Sequence, residues 1–250
     1  MTDLFFSVSS KPGVFGRTLY AELFKYYGYD GLYVPVNIDS DESFLKFLGK
    51  IKNIAAGMSV SMPFKKLASE YCKPMEFEVS VTKSANTIIF NGASPLAYNT
   101  DAFGFINACR DILKDIKTCH IYGNGSVART ISAILSQYGI HHTKYPRDWP
   151  AKTLGFAGGD LLINATPIGM DGINDSVFTE KFVEKYKSVF DVVVVKRETN
   201  LISIAKKLNK RYVSGVEMSK YQLQRQYALY TGTNPDIIKI NQILQGAGYV

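Results

Sequence analysis

Histidine and cysteine are scarce in this chain, and the shortage narrows its chemistry first. Three histidines, His120, His141 and His142, and three cysteines, Cys72, Cys109 and Cys119, are all that 250 residues provide. None stands at metal-ligand spacing with a carboxylate, which argues against a metal centre. An odd cysteine count without a C-x-x-C pair suits a reducing cytoplasm better than a disulfide framework. No apolar run approaches the roughly 18 residues that a membrane helix needs. The opening MTDLFF lacks the basic start and apolar core of a secretory signal. The expectation is a soluble cytoplasmic protein with no metal and no membrane partner.

Basic residues, by contrast, are in surplus, with a formal net charge of +7. They are spread along helical stretches such as AKKLNKR at 205–211 and are not gathered into an arm. Aromatic residues fall at core-like spacings and not between the charges, so a nucleic-acid partner is not expected. A basic surface that draws in anionic small molecules accounts for the charge equally well.

The chain is organised around Ser84 to Phe105, SANTIIFNGASPLAYNTDAFGF. Two strand-like runs, Ala85–Phe90 and Leu96–Tyr98, flank a turn-rich segment, and a helical pattern follows through Phe105, Ile106, Cys109 and Ile112. Thr100 and Asp101 suit helix N-caps, because a short oxygen-bearing side chain accepts from the first free N–H groups. This strand-to-helix switch directly precedes a glycine-rich loop of different character, as expected where one domain gives way to another.

Before that switch, strands alternate with helices, the signature of a mostly parallel sheet. Leu4–Val8, Gly31–Ile38 and Ile54–Ser61 read as strands. Leu19, Leu23, Phe24 and Tyr27 form a helical face ended by Gly28. Asp39-Ser40-Asp41-Glu42 offers a capping box before Phe44, Leu45, Leu48 and Ile51. Pro63 opens a helix whose first turn carries Lys65 and Lys66. The helix macrodipole disfavours cations there by roughly 0.3–1 kcal/mol, so stability gives no reason for them. Helical periodicity does not choose between the two.

After the switch, Cys119–Tyr122 reads as a strand running into Gly123-Asn124-Gly125-Ser126-Val127-Ala128, a G-x-G-x-x-A turn that opens a helix. Gly123 permits the tight turn, Gly125 lets the backbone approach a pyrophosphate, and Ala128 allows close helix–strand packing. The helix N-terminus adds N–H donors and positive potential. Near the end of the next strand stand Lys144 and Arg147, which suit the 2′-phosphate of NADP, while Asp148 keeps NAD open. Further strands are expected at Asp160–Ala165 and Val189–Val195, with a shorter one at Tyr212–Ser214 and helical segments between.

Together these segments resemble the shikimate dehydrogenase family. SVSMPFKK is similar to its V-T-V-P-F-K, SANTI to A-V-N-T, YNTDAFGF to N-T-D-x-x-G-F and GNGSVART to G-A-G-G-A-A-R. YPR resembles N-R-T, NATPIGM resembles N-A-T-S-x-G-M, and GVEMSKYQ resembles G-x-x-M-L-x-x-Q. The resemblance implies an α/β protein of two domains, with C-terminal helices over Met218–Tyr230 and from Asn234-Pro235 that return to the first domain. A substrate-binding domain would span 1–101 plus 219–250, and an NADP-binding Rossmann domain 102–218. It implies Lys65 and Asp101 as the catalytic pair, which selects Lys65 over Lys66 and makes Asp101 more than a cap. It implies Ser7 and Ser9 at a substrate carboxylate and Ser61, Asn86 and Gln222 at ring hydroxyls. Gly123, Gly125, Ser126, Val127, Ala128, Arg147, Thr166 and Gly215 would hold NADP. The substrate is then a small cyclic hydroxy acid, and the assembly a monomer or homodimer.

The chain also departs from that family. SVSSKPGVFGRTLYA replaces H-S-x-S-P-x-x-H-N and lacks both histidines. Ser59 stands for the usual asparagine, Ser61 for threonine, Ser126 for glycine and Val194 for a substrate-contacting tyrosine. These differences resemble the divergent shikimate dehydrogenase-like members, with slow turnover of shikimate expected. Quinate or another cyclic hydroxy acid as substrate, and a catalytically silent NADP-binding protein, are the other readings. Retention of both Lys65 and Asp101 speaks against the silent one.

Overall fold

A computed structural model describes residues 1–12, 15–92, 94–146, 158–174 and 176–249. The chain separates into two compact units, Met1–Thr100 with Gln222–Ala247, and Asp101–Tyr221 with Gly248–Val250.

The first unit opens with β1 (Asp3–Ser9), α1 (Phe15–Tyr27), β2 (Gly31–Asn37), α2 (Asp41–Ile51), β3 (Gly57–Val60) and α3 (Lys65–Tyr71). It continues with β4 (Lys73–Pro74), α4 (Phe77–Thr82), β5 (Thr87–Ile89) and β6 (Leu96–Tyr98). Its sheet has the order β2-β1-β3-β5-β6-β4. The alternating part is parallel as expected: β1 lies between β2 and β3 and runs with both. Strands β5 and β6 pair antiparallel, and β5 is also antiparallel to β3. Phe44, Leu48 and Ile51 of α2 and Phe64 and Ala68 at α3 pack on Val8, Met58 and Val60 of the strands. Full burial of a side chain such as Leu48 is worth about 1.5–3 kcal/mol. Ser40 caps α2, its hydroxyl accepting from Ser43 N at 3.2 Å.

The second unit contains α5 (Thr100–Ala108, of which Thr100 belongs to the first unit), α6 (Arg110–Leu113), β7 (Thr118–Tyr122), α7 (Ser126–Gln137) and β8 (His141–Tyr145). Then come β9 (Gly159–Asn164), α8 (Glu180–Val183), β10 (Tyr186–Asp191), α9 (Asn200–Lys207) and β11 (Arg211–Val213). Its sheet, β11-β10-β9-β7-β8, is parallel throughout. Apolar clusters around Phe105, Ile131 and Ile134, and around Phe178, Val183 and Leu201, supply its core. Helices α10 (Gly215–Thr231) and α11 (Ile237–Gly246) complete the chain, and the division between units falls within α10 after Tyr221. Among the described residues no helix is long and apolar enough to cross a membrane.

Several boundaries differ from the expected ones. The ladder of β10 ends at Asp191, although valines continue to 195. Its neighbour β11 pairs only with Ser188–Phe190, and Val193 N donates to the Asp191 carboxylate at 3.1 Å, turning the backbone out of the sheet. Helix α10 starts at Gly215, three residues early. Helix α11 starts at Ile237 and not at Asn234-Pro235, because Asp236 accepts from Ile238 N at 2.8 Å and caps it. Helix α5 already begins at Thr100, so Asp101 lies inside its first turn and is not the cap.

Candidate active site

In the first unit Ser7, Ser9 and Ser61 stand at the carboxyl ends of β1 and β3, Asn86 directly precedes β5, and Gln222 is on α10. Ser7 and Ser9 are among the last three residues of β1, and Ser61 follows β3 directly. Backbone bonds lock these segments together. Ser61 N donates to Val8 O at 2.9 Å, Val60 N to Asn86 O at 2.8 Å, and Ala85 N to Lys65 O at 2.9 Å. Ser9 is buried and accepts from Lys11 N at 3.2 Å.

The two lysines that periodicity left equivalent are not equivalent in the fold. Lys65, the first residue of α3, is only 9% exposed. Lys66 points to solvent and forms a surface ion pair with Glu70 at 3.6 Å, one turn along. Asp101 is buried, 2% exposed, in the first turn of α5. A carboxylate suits that end of a helix as much as an ammonium does not.

Asn86 is held from several sides. Its Oδ1 accepts from Thr100 N at 2.9 Å and from the Thr87 hydroxyl at 3.0 Å, while its Nδ2 donates to Thr100 Oγ1 at 3.0 Å. Behind it lies a set of bonds that sequence reasoning missed. Gln226 Nε2 donates to Thr87 Oγ1 at 2.6 Å, and Gln226 Oε1 accepts from Tyr20 at 2.8 Å and from Ser59 at 3.0 Å. Ser59 in turn meets the hydroxyls of Tyr33 at 2.6 Å and Tyr230 at 2.8 Å. Burial raises the Tyr33 phenol, and its hydrogen bonds with Ser59 and Ser7 draw it partly back. The one available signal for Gln226 was its spacing of one helical turn from Gln222, which lies partly exposed on α10.

In the second unit the β7–α7 turn has the geometry that its glycines suggest. Gly123 has φ of +125°, and a Cβ there would lie 2.5 Å from Ala165 O, so only glycine fits. Gly125 is the N-cap of α7 with an ordinary φ of −77°. A Cβ at Gly125 would meet nothing within 4 Å. Its glycine is therefore not required by the protein's own packing. Ser126, Val127 and Ala128 form the first turn of α7, with Ala128 fully buried and Val127 packed on the same core. Thr166 donates through both N and Oγ1 to Asn164 Oδ1, at 3.1 and 2.7 Å, which fixes the turn after β9 beside Gly123. Gly215 admits no side chain, since a Cβ would stand 2.3 Å from Val193 O. Arg147, expected at a 2′-phosphate, and Asp148 lie outside the described residues. The three thiols are buried, and burial pushes them up, Cys72 to about 12, so they are inert at neutral pH. Among the described residues no group of three histidine, cysteine or acidic side chains is placed to hold a metal ion.

Residues 15–88 match the family described as shikimate dehydrogenase substrate binding domain. A shikimate dehydrogenase-like protein of Haemophilus influenzae is 28% identical over 253 residues, covering 94% of this chain and 92% of its own length. A shikimate dehydrogenase (NADP(+)) of Pyrococcus abyssi is 28% identical over 232 residues and 86% of both chains. A crystal structure of a shikimate dehydrogenase in complex with NADP+ superimposes with a TM-score of 0.83 at 21% identity, covering 100% of this chain and 96% of that one.

Proposed function

The chain is a relative of the shikimate dehydrogenases, and on that premise we propose that it is an NADP-dependent oxidoreductase interconverting shikimate, or a close analogue, with the 3-dehydro form. The observation that carries this reading is the burial of Lys65 beside an exposed Lys66. The helix dipole disfavours a cation at that position, and a buried lysine there fits a residue placed for its chemistry. The open cradle at Gly125 and the positive end of α7 fit the pyrophosphate of NADP. Bound there, NADP+ supplies the hydride acceptor.

The chain's own residues then manage everything but the hydride. Lys65 and Asp101 take up the proton of the reacting hydroxyl and hold the developing oxyanion. Ser7 and Ser9 offer hydroxyls to the ring acid's carboxylate, and Ser61, Asn86 and Gln222 bind its other hydroxyls. Gly215 keeps the backbone near the nicotinamide end. Val194, partly exposed after β10, brings no hydroxyl where the family has tyrosine, and the Ser7–Arg17 segment alters the carboxylate end. Two lost hydrogen bonds of about 1 kcal/mol each lower the specificity constant for shikimate about 30-fold.

The test is NADP+ reduction, followed optically, with shikimate, quinate and other cyclic hydroxy acids. Slow but measurable oxidation of shikimate is expected. A specificity constant near 10⁶ M⁻¹s⁻¹, ordinary for an efficient enzyme, would refute the slow turnover, and no oxidation of any ring acid would refute the activity. Cofactor choice rests on Arg147, since a bidentate charged pair with the 2′-phosphate is worth roughly 1.5–3 kcal/mol. NADP is thus expected to bind at least about tenfold more tightly than NAD, and Arg147→Ala to remove most of that margin. Equal affinities in titration calorimetry of the unmutated protein would overturn it.

A further inference from the structure

The polar network behind Asn86 has one direction, and a single donor sets it. The Thr100 backbone N–H can only donate, so the Asn86 atom facing it is Oδ1. The Thr87 hydroxyl must then donate to that same oxygen, which leaves Thr87 Oγ1 as an acceptor towards Gln226. Gln226 therefore turns Nε2 to Thr87 and Oε1 to Tyr20 and Ser59, both of which donate. Ser59, having spent its one proton, accepts from Tyr33, whose own oxygen is left to accept from Ser7. The order Ser7, Tyr33, Ser59, Gln226, Thr87, Asn86 is thus a chain of donors with no freedom to reverse. It joins the residue proposed at the carboxylate to one proposed at a ring hydroxyl.

We propose that Gln226 is a positioning residue for hydroxy-acid binding, the central amide of a buried relay that fixes the side chains of Asn86 and Ser7. The proposal deepens the functional reading above and rests on it for the identity of the ligand. Gln226 is only 9% exposed, Thr87 and Tyr20 are 0% and 1% exposed, and removal of the amide leaves each of them without this partner. Burial of unpaired polar groups is costly, so the neighbours rearrange and Asn86 loses the donor from Thr87. With Oδ1 committed inward and one Nδ2 proton given to Thr100 Oγ1, the amide is held in a single orientation. A loosened amide presents either end.

Gln226→Met keeps the length of the side chain and deletes all three bonds, and Thr87→Val breaks the same relay one step nearer Asn86. Each is expected to raise KM for the hydroxy acid about tenfold, with KM for NADP+ within about twofold of wild type. The double variant should be little worse than either single one, because the two act in series. A lowered Tm with KM for the hydroxy acid unchanged would mean a structural role only and would overturn the proposal, as would full additivity. The second readout is independent of turnover: the Asn86 side-chain amide resonances, assigned by their loss in Asn86→Asp, should shift in both variants. Resonances that stay in place would overturn the relay whatever the substrate is. If they shift while no ring acid is oxidised by the wild type, the relay stands and the proposed activity fails. Should Gln226→Met not fold, Thr87→Val carries both measurements.

Discussion

Lys65→Ala is expected to lower turnover about 10³-fold while leaving NADP affinity within about threefold, in the range that a general acid–base group contributes. Asp101→Ala should behave alike, and the double variant should be little worse, since groups that act as a unit are not additive. Lys66→Ala provides the contrast. That side chain is solvated and shares only a surface pair with Glu70, a kind of pair worth little, so turnover should stay near wild type. Retention of more than a tenth of wild-type turnover by Lys65→Ala would show that the proton goes elsewhere.

That contrast also marks where sequence reasoning stops. Periodicity places both lysines in the first turn of α3, and the family resemblance prefers one, but only burial gives a physical reason. Strong signals had been legible: the apolar faces of α1 and α2, the strand–turn–helix around Gly123, and the strand-like runs that pair as β5 and β6. Helix α4 was not, because FEVSVT alternates apolar and polar residues as a strand does. It coils nonetheless, burying Val79 and Thr82 three apart while the Thr82 hydroxyl donates to Glu78 O at 2.6 Å. The valines after Asp191 misled in the opposite sense, being apolar and β-branched but with no neighbouring strand to pair with. The Gln226 relay was beyond reach for a third reason. Its bonds join residues 139, 167 and 206 positions apart, and no local pattern records partners that only the tertiary fold brings together.

Gly125→Ala is expected to weaken NADP binding about 10- to 100-fold with little change in the stability of the free protein. Gly123→Ala is expected to lower both. The two glycines look interchangeable in the motif and are not interchangeable in the structure. At Gly123 an added Cβ meets Ala165 O at 2.5 Å and Ala165 C at 2.8 Å, and φ is +125°. The obstacle is backbone and not the tip of a flexible side chain, so the β7–α7 turn must move and the left-handed region penalises the alanine as well. At Gly125 φ is −77°, which alanine adopts freely, and nothing lies within 4 Å of the new methyl. Alanine there also restricts the unfolded chain, which offsets its poorer standing than glycine as an N-cap, so Tm should change little. What the methyl would occupy is the space through which the backbone N–H groups at the start of α7 approach a pyrophosphate. Titration calorimetry with NADP+ and thermal unfolding of the free protein separate the cases. If Gly125→Ala binds NADP+ within threefold of wild type, the space in front of α7 is not a phosphate cradle and the nucleotide binds elsewhere.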